Sequence, residues 1–279
     1  MPEKNQKENK LRMKTEPVLW NRKVGPDCFR MGIGQNGVCR DAVPGQFVML
    51  GLCDETSFVL RRPFSIHGLV TEGGRPGGLE ILYKVVGKNT RAFSKLREGD
   101  EIDVLGPLGK GFSAPKDPDG RAVIVGGGIG VAPLLFLADF LIEKNMDPAR
   151  CRVFLGGRTP GDVLCADGFE KRGMEVRVAT DDGAAGRKGP VTDLVEKDMK
   201  KNPPGMTYAC GPKGMLKRVS EICETYGAPC QASMETFMAC GMGACLGCAA
   251  GHKTEDRYLH VCVDGPVMDP GLLDMASLH

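Results

Sequence analysis

The chain has 279 residues, 42% hydrophobic and 26% charged, with a formal net charge of +2. That length suits two ordinary domains and a small appendage, and a charge so close to balance gives no reason to expect nucleic acid or a membrane surface as the partner. The longest apolar stretch, Val131 to Ile142, is interrupted by Pro133 and Asp139 and falls well short of the ~20 residues a bilayer span needs.

Met1 to Lys14 is rich in Lys, Glu and Asn and has no apolar centre. That argues against a secretory signal, and its acidic residues argue against a transit peptide, so the expected compartment is the cytoplasm. From Val18 to about Phe112 the pattern is short strands between turns. Gln46–Leu50, Phe58–Leu60 and Leu79–Val85 read as strands, punctuated by Gly73-Gly74, Pro76-Gly77-Gly78 and Gly99-Asp100. Such spacing predicts a small antiparallel β-barrel or sandwich.

Pro115 to Gly120 has the composition of a linker, and beyond it the period changes. Arg121–Val125, Arg152–Leu155, Glu175–Ala179 and Met206–Ala209 read as short buried strands. Candidate helices separate them, the first with Leu134, Leu135, Ala138, Leu141 and Ile142 on one face. Strand–helix alternation predicts an open, mainly parallel α/β sheet. From Ala228 the chain turns rich in Cys, Gly and Met, with too few large aliphatics for a core of its own. A segment of that kind usually needs a metal. The expected organisation is therefore a multi-domain chain: a barrel at 16–114, an α/β domain at 119–227 and a cysteine segment at 228–279.

Of the 12 cysteines, eight are scattered, while Cys240, Cys245, Cys248 and Cys262 form a C-x4-C-x2-C-x13-C run. The first three have the plant-type spacing for a two-iron, two-sulfur cluster, whose fourth ligand arrives from further along. Gly241, Gly243 and Gly247 would let the loop wrap closely and aim backbone N–H groups at sulfur. A four-cysteine zinc site is the plainer alternative. Zinc sites, however, tend to bring cysteines as two short pairs, and here Cys262 stands alone.

A second motif follows Val123-Ile124-Val125: Gly126-Gly127-Gly128-Ile129-Gly130-Val131-Ala132-Pro133. Glycines between a strand and a helix let a pyrophosphate approach the helix N-terminus. The usual G-x-G-x-x-G fingerprint fails at Val131, and no acid ends the next strand, where Gly156-Gly157-Arg158 stands instead. A purely structural glycine turn remains an alternative.

In the barrel region, Arg61-Arg62-Pro63-Phe64-Ser65 closes a strand, and Gly87-Lys88-Asn89-Thr90 opens a short helix running through Phe93 and Leu96, with Thr90 a candidate N-cap. Arginine can clamp a phosphate, an aromatic ring can stack on an isoalloxazine and a serine can reach a ring nitrogen. Taken alone, these residues are more commonly a surface Arg and a core Phe. His67, His252, His260 and His279 have no spacing that suggests joint action, and His67 reads as a structural histidine. No nucleophile–base arrangement is apparent, so no residue is assigned as a catalytic acid or base.

The order R-P-F-S, G-K-N-T, G-G-G-I-G-V-A-P and Cys210-Gly211-Pro212 resembles the ferredoxin reductase superfamily. The run Met238 to Cys248, with Val261 to Val267, looks like the electron-transfer subunits of class B dihydroorotate dehydrogenase. The resemblance covers roughly residues 16 to 270. It implies FAD in the barrel, held by Arg62, Pro63, Phe64 and Ser65, with Leu82, Tyr83, Lys84, Asn89 and Thr90 at adjoining positions. It implies NAD beside Gly128, Gly130 and Pro133, with Cys210, Gly211 and Pro212 near the nicotinamide. It makes Cys240, Cys245, Cys248 and Cys262 the cluster ligands. Arg158 could pair with a 2′-phosphate, which leaves NADP open beside NAD. The tail after Pro266 has no assigned role.

The implied function is a relay between NAD(H), FAD and the cluster, serving an FMN-containing dihydroorotate-oxidising partner subunit in pyrimidine biosynthesis. The expected assembly is a heterotetramer with two of each subunit. Two alternatives stand beside it: a subunit of a ferredoxin-dependent transhydrogenase, sulfide dehydrogenase or hydrogenase, and a non-enzymatic iron–sulfur redox sensor.

Overall fold

A computed structural model describes residues 13–34, 41–53, 60–72 and 75–278. The first half contains β1 (Met13–Gly25), β2 (Cys28–Gly34), β3 (Phe47–Leu52), β4 (Arg62–Glu72), β5 (Arg75–Lys84), the short helix α1 (Lys88–Phe93) and β6 (Glu101–Leu108). These strands close into an antiparallel barrel in the order β1-β2-β5-β4-β3-β6. Of the expected strand at 58–60, Phe58 and Val59 lie outside the described residues.

Alternation along the barrel strands explains what covers it. On β5, Leu79, Ile81 and Tyr83 point inward and are at most 1% exposed. The intervening Leu82 is also buried, but packs with the second half of the chain. On β3, Val48 and Leu50 fill the barrel, while Phe47 and Met49 join the core that holds the cysteine segment. A barrel wall buried on both faces reads as continuous hydrophobicity, and each fully buried large side chain contributes about 1.5–3 kcal/mol.

The second half runs β7 (Ala122–Gly127), α2 (Ala132–Glu143), β8 (Cys151–Gly157), α3 (Ala166–Glu170), β9 (Glu175–Thr180), β10 (Arg187–Lys188), α4 (Val191–Met199), β11 (Met206–Cys210) and α5 (Lys213–Tyr226). It ends with β12 (Cys230–Ser233), β13 (Ala249–Gly251), β14 (Tyr258–His260) and β15 (Val267–Met268). A seven-stranded sheet has the order β10-β9-β8-β7-β11-β12-β15. It is parallel apart from β15, which pairs antiparallel with β12.

Helix α2 differs from its one-faced expectation. Leu134, Leu137, Ala138 and Leu141 are buried, whereas Leu135 and Ile142 are half-buried. The reason is that α2 lies between sheet and barrel: Phe136 packs into the barrel core, and the Ala132 carbonyl meets His67 Nδ1 of β4 at 2.6 Å. The tail after Pro266 has a structural place. It supplies β15, and Lys213 Nζ donates to the Leu278 carbonyl at 2.6 Å, tying the chain's end to the start of α5.

Candidate functional site

Two cavities open side by side. One, of about 560 Å³, is walled by Arg62–Ser65 on β4, Leu82–Lys84 on β5, Gly87–Thr90 at the start of α1, and Met238 and Pro266 from the cysteine segment. The other, of about 620 Å³, lies at the C-terminal ends of the sheet strands and is walled by Gly127–Gly130, Gly156–Arg158, Asp162, Asp181 and Gly211–Pro212. Lys84, Ile129, Gly130 and Glu235 border both.

The barrel-side cavity gathers every residue expected around the flavin. Phe64 makes edge contacts with Tyr83 at 5.9 Å and Phe93 at 5.6 Å between ring centroids, which orients its ring within the wall. Burial pushes the Tyr83 phenol up to about 12 against the bond it donates to Asn21 Oδ1, so it remains a neutral donor. Arg62 Nη1 donates to the Leu60 and Arg61 carbonyls, and among the described residues no carboxylate pairs with it. An unneutralised guanidinium on a cavity wall fits a phosphate-bearing flavin. Thr90 is not the N-cap. Gly87 is, with an extended backbone, and Thr90 sits at the third helical position, where its Oγ1 accepts from the Val86 and Gly87 N–H groups at 2.9 and 3.1 Å. The helix also stops at Phe93, short of Leu96.

The sheet-side cavity explains the irregular glycine motif. Residues Gly128–Val131 form a 3-10 turn, and Pro133 stands in the first turn of α2. Val131 fills the position expected for a third glycine because it points into the core and is 1% exposed. The close approach belongs to Gly130, where a Cβ would stand 2.5 Å from Gly211 Cα and 2.6 Å from Gly211 N. The two phosphate-side loops therefore touch backbone to backbone, and at Gly128 a Cβ would meet only open space. That cradle fits a dinucleotide. Gly128, Gly130, Gly211 and Pro212 line it, whereas Pro133 lies on the flavin side. Cys210 lies behind the cavity, 1% exposed, its thiol pushed far up by burial and by the Glu235 carboxylate.

The four cysteines of the C-terminal run come together. Cys248 Sγ lies 3.1 Å from Cys262 Sγ, and the Met242 and Cys245 N–H groups each donate to Cys240 Sγ at 3.4 Å. Burial raises the Cys240 thiol, but these N–H groups, the Cys245 thiol and the Ala244 N–H outweigh it and bring it to about 7. Cys262 is pushed up by burial and by its contact with Cys248. The thiols pair Cys248 with Cys262 and Cys240 with Cys245, an arrangement that fits two irons with two cysteines each. Gly241, with φ +72°, makes the loop fit: a Cβ there would come within 2.7 Å of Met49 Cγ on the barrel.

Reading the sequence missed several residues of the site. Glu235 borders both cavities, and its carboxyl is raised by desolvation although the residue is exposed overall. Asp162 and Asp181 line the sheet-side cavity. None of the three sits in a motif, and only the fold brings them to the cavities.

Residues 124–221 match the oxidoreductase NAD-binding domain. Residues 235–274 match the iron-sulfur cluster binding domain of dihydroorotate dehydrogenase B. The electron transfer subunit of dihydroorotate dehydrogenase B (NAD(+)) from Desulforamulus reducens is 39% identical, over 88% of this chain and 91% of that one. The chain belongs to this family of electron-transfer subunits. The family's member from Caldanaerobacter subterraneus subsp. tengcongensis is 40% identical over 90% of this chain and 94% of its own. Among solved structures, a chain of the NADH-dependent reduced ferredoxin-NADP oxidoreductase superposes with a TM-score of 0.81. It is 30% identical and covers 94% of this chain and 91% of that one. A ferredoxin NADP+ reductase from Neisseria gonorrhoeae with bound FAD and NADP shares the fold at a TM-score of 0.63 and 19% identity. Among the described residues no helix is long and apolar enough to cross a membrane.

Proposed function

We propose that the chain is the NADH-linked relay of a dihydroorotate dehydrogenase, passing electrons between NAD(H), FAD, a two-iron, two-sulfur cluster and a catalytic partner that holds FMN. The assembly would be a cytoplasmic heterotetramer with two of each subunit, acting in pyrimidine biosynthesis. Residues 16–114 would serve as the FAD domain, 119–227 as the NAD domain and 228–279 as the cluster segment. One observation carries the reading: Met238 and Pro266, which wall the barrel-side cavity, flank the cluster run two residues before Cys240 and four after Cys262. Flavin cavity and cluster loop therefore share one stretch of chain.

When bound, a flavin takes electrons in pairs and releases them singly, and an iron–sulfur cluster carries one at a time. The protein's part is positional. Arg62, Pro63, Phe64 and Ser65, with Leu82, Tyr83, Lys84, Asn89 and Thr90, would hold and orient the flavin. Gly128, Gly130, Gly211 and Pro212 would cradle the dinucleotide and bring its nicotinamide end to the shared border at Ile129 and Glu235, with Pro133 facing the flavin side and Cys210 buried behind them as support. Cys240, Cys245, Cys248 and Cys262 would hold the cluster, and their N–H donors would favour the thiolate form.

Mixing the chain with a dihydroorotate-oxidising FMN subunit tests this. Dihydroorotate-dependent NAD+ reduction should appear only when both are present. The 30% identical oxidoreductase chain supports a second reading as a transhydrogenase subunit. Electron flow to ferredoxin and NADP, with none to or from the dihydroorotate enzyme, would decide for it.

A further inference from the structure

Lys84 is the last residue of β5, yet its ammonium crosses from the barrel to Asp162, in the turn after β8, with Nζ to Oδ1 at 2.9 Å. The other carboxylate oxygen, Oδ2, lies 3.8 Å from Arg158 Nε. Asp162 is fixed in place: its N–H donates to the Thr159 carbonyl at 3.0 Å, and its Cβ packs on Gly157. The cations are the mobile partners, for the Arg158 side chain is 80% exposed and Lys84 has a long flexible stem. One carboxylate thus holds two cations at the rim of the glycine-lined cavity. Asp181 and Glu235 are the other acidic groups on that wall. A dinucleotide brings a doubly charged diphosphate to this cavity, and Lys84 and Arg158 are the basic residues lining it.

We propose that Asp162 is a built-in competitor for nucleotide phosphate, occupying Lys84 and Arg158 so that a dinucleotide must draw these cations away from it to bind. The arrangement keeps nucleotide affinity moderate, which favours exchange of NAD for NADH on a relay that turns over. The carboxyl of Asp162 lies below its usual range, first because of its bond to Lys84, so it stays charged and competes across the neutral range. The proposal rests on the reading of this cavity as the dinucleotide site.

Calorimetric titration of the flavin-loaded chain with ADP-ribose, which lacks the nicotinamide and does no redox chemistry, tests it. Asp162→Asn should tighten ADP-ribose binding by ~2- to 5-fold, the range that partly exposed ion pairs command. Lys84→Met should weaken it, with Lys84→Arg restoring most of the loss. The gain from Asp162→Asn should disappear when Lys84 and Arg158 are both Met, and should shrink in high salt. Asp162→Ser provides the same test should the Asn variant fold poorly. Unchanged or weaker binding by the folded Asp162 variants overturns the proposal. So does a gain that survives without Lys84 and Arg158, because direct repulsion would then explain it. Failure of the wild-type chain to bind ADP-ribose at all would sink the dinucleotide reading itself.

Discussion

Cys248 Sγ and Cys262 Sγ lie 3.1 Å apart, although fourteen positions separate them in the chain. The β13–β14 hairpin creates this contact. Ala249 pairs with His260, and the Val261 N–H donates to the Cys248 carbonyl, so the residues just outside the hairpin meet. Cys240 and Cys245 form the second pair.

Cys262→Ser should abolish or strongly bleach the cluster absorbance while leaving the flavin bands, because one iron loses one of its two thiolates. Cys230→Ser, whose thiol hydrogen-bonds to Cys223 and to none of the four, should leave both. The visible spectrum after anaerobic purification checks this, and an unaltered cluster band in Cys262→Ser would exclude this cysteine as a ligand.

Gly130→Ala should weaken nucleotide binding more than tenfold and cost about 1–3 kcal/mol of stability, since a methyl group there collides with the Gly211 backbone and not with a movable side chain. Gly128→Ala meets no neighbour, although its φ of +54° still strains a side chain. It should cost about 1 kcal/mol and affect binding less. Thermal unfolding with ADP-ribose titration separates the two effects.

The cysteine spacing and the barrel strands β3 and β5 were legible because each rests on a local pattern: a ligand loop, or apolar residues between turns. Strands β1, β2 and β6 were not legible, and Arg62–Ser65, expected to close a strand, opens β4, with Leu60 in the bend before it. The dinucleotide turn was legible only in part, because its third glycine is replaced by a buried valine and its close contact comes from Gly211, just past the end of β11. Thr90 was misplaced because the N-cap, Gly87, has ordinary extended backbone and no side-chain oxygen to mark it, while the Thr90 hydroxyl bonds back from the third helical position. Glu235, Asp162 and Asp181 acquire their roles only when strand ends distant in sequence meet at the cavities. The two strands after residue 228 that join the sheet are too short for periodicity to reveal.

His67 predicts a pH effect on stability. It is 3% exposed, and burial lowers its pKa despite the Glu80 carboxylate 3.7 Å from Nε2. The folded chain therefore holds a neutral imidazole, whereas the unfolded one titrates near 6.5. As pH falls below that value the unfolded state binds the extra proton, and stability should drop by up to about 1.4 kcal/mol per pH unit until the folded-state imidazole also protonates. His67→Gln should flatten that dependence, as measured by denaturant unfolding at a series of pH values. An equally steep loss in the variant would assign the effect to another group.

Leu246, 57% exposed, and Val263, 46% exposed, stand beside Cys245 and Cys262 on the outer side of the cluster loop, with Met242 and Phe237 also exposed nearby. Apolar side chains left in solvent around a redox centre suit a docking face. Leu246→Glu should weaken assembly with the dihydroorotate-oxidising subunit at least tenfold while leaving NADH-dependent flavin reduction in the isolated chain unchanged. Co-elution on size exclusion and stopped-flow flavin bleaching read the two outcomes separately.

The most direct test is the iron, acid-labile sulfide, zinc and flavin content of the anaerobically purified chain. The paired arrangement of Cys240 with Cys245 and Cys248 with Cys262 predicts about two iron and two sulfide per chain, and the barrel-side cavity about one FAD. One zinc per chain without sulfide, or a cluster without flavin, would contradict the relay.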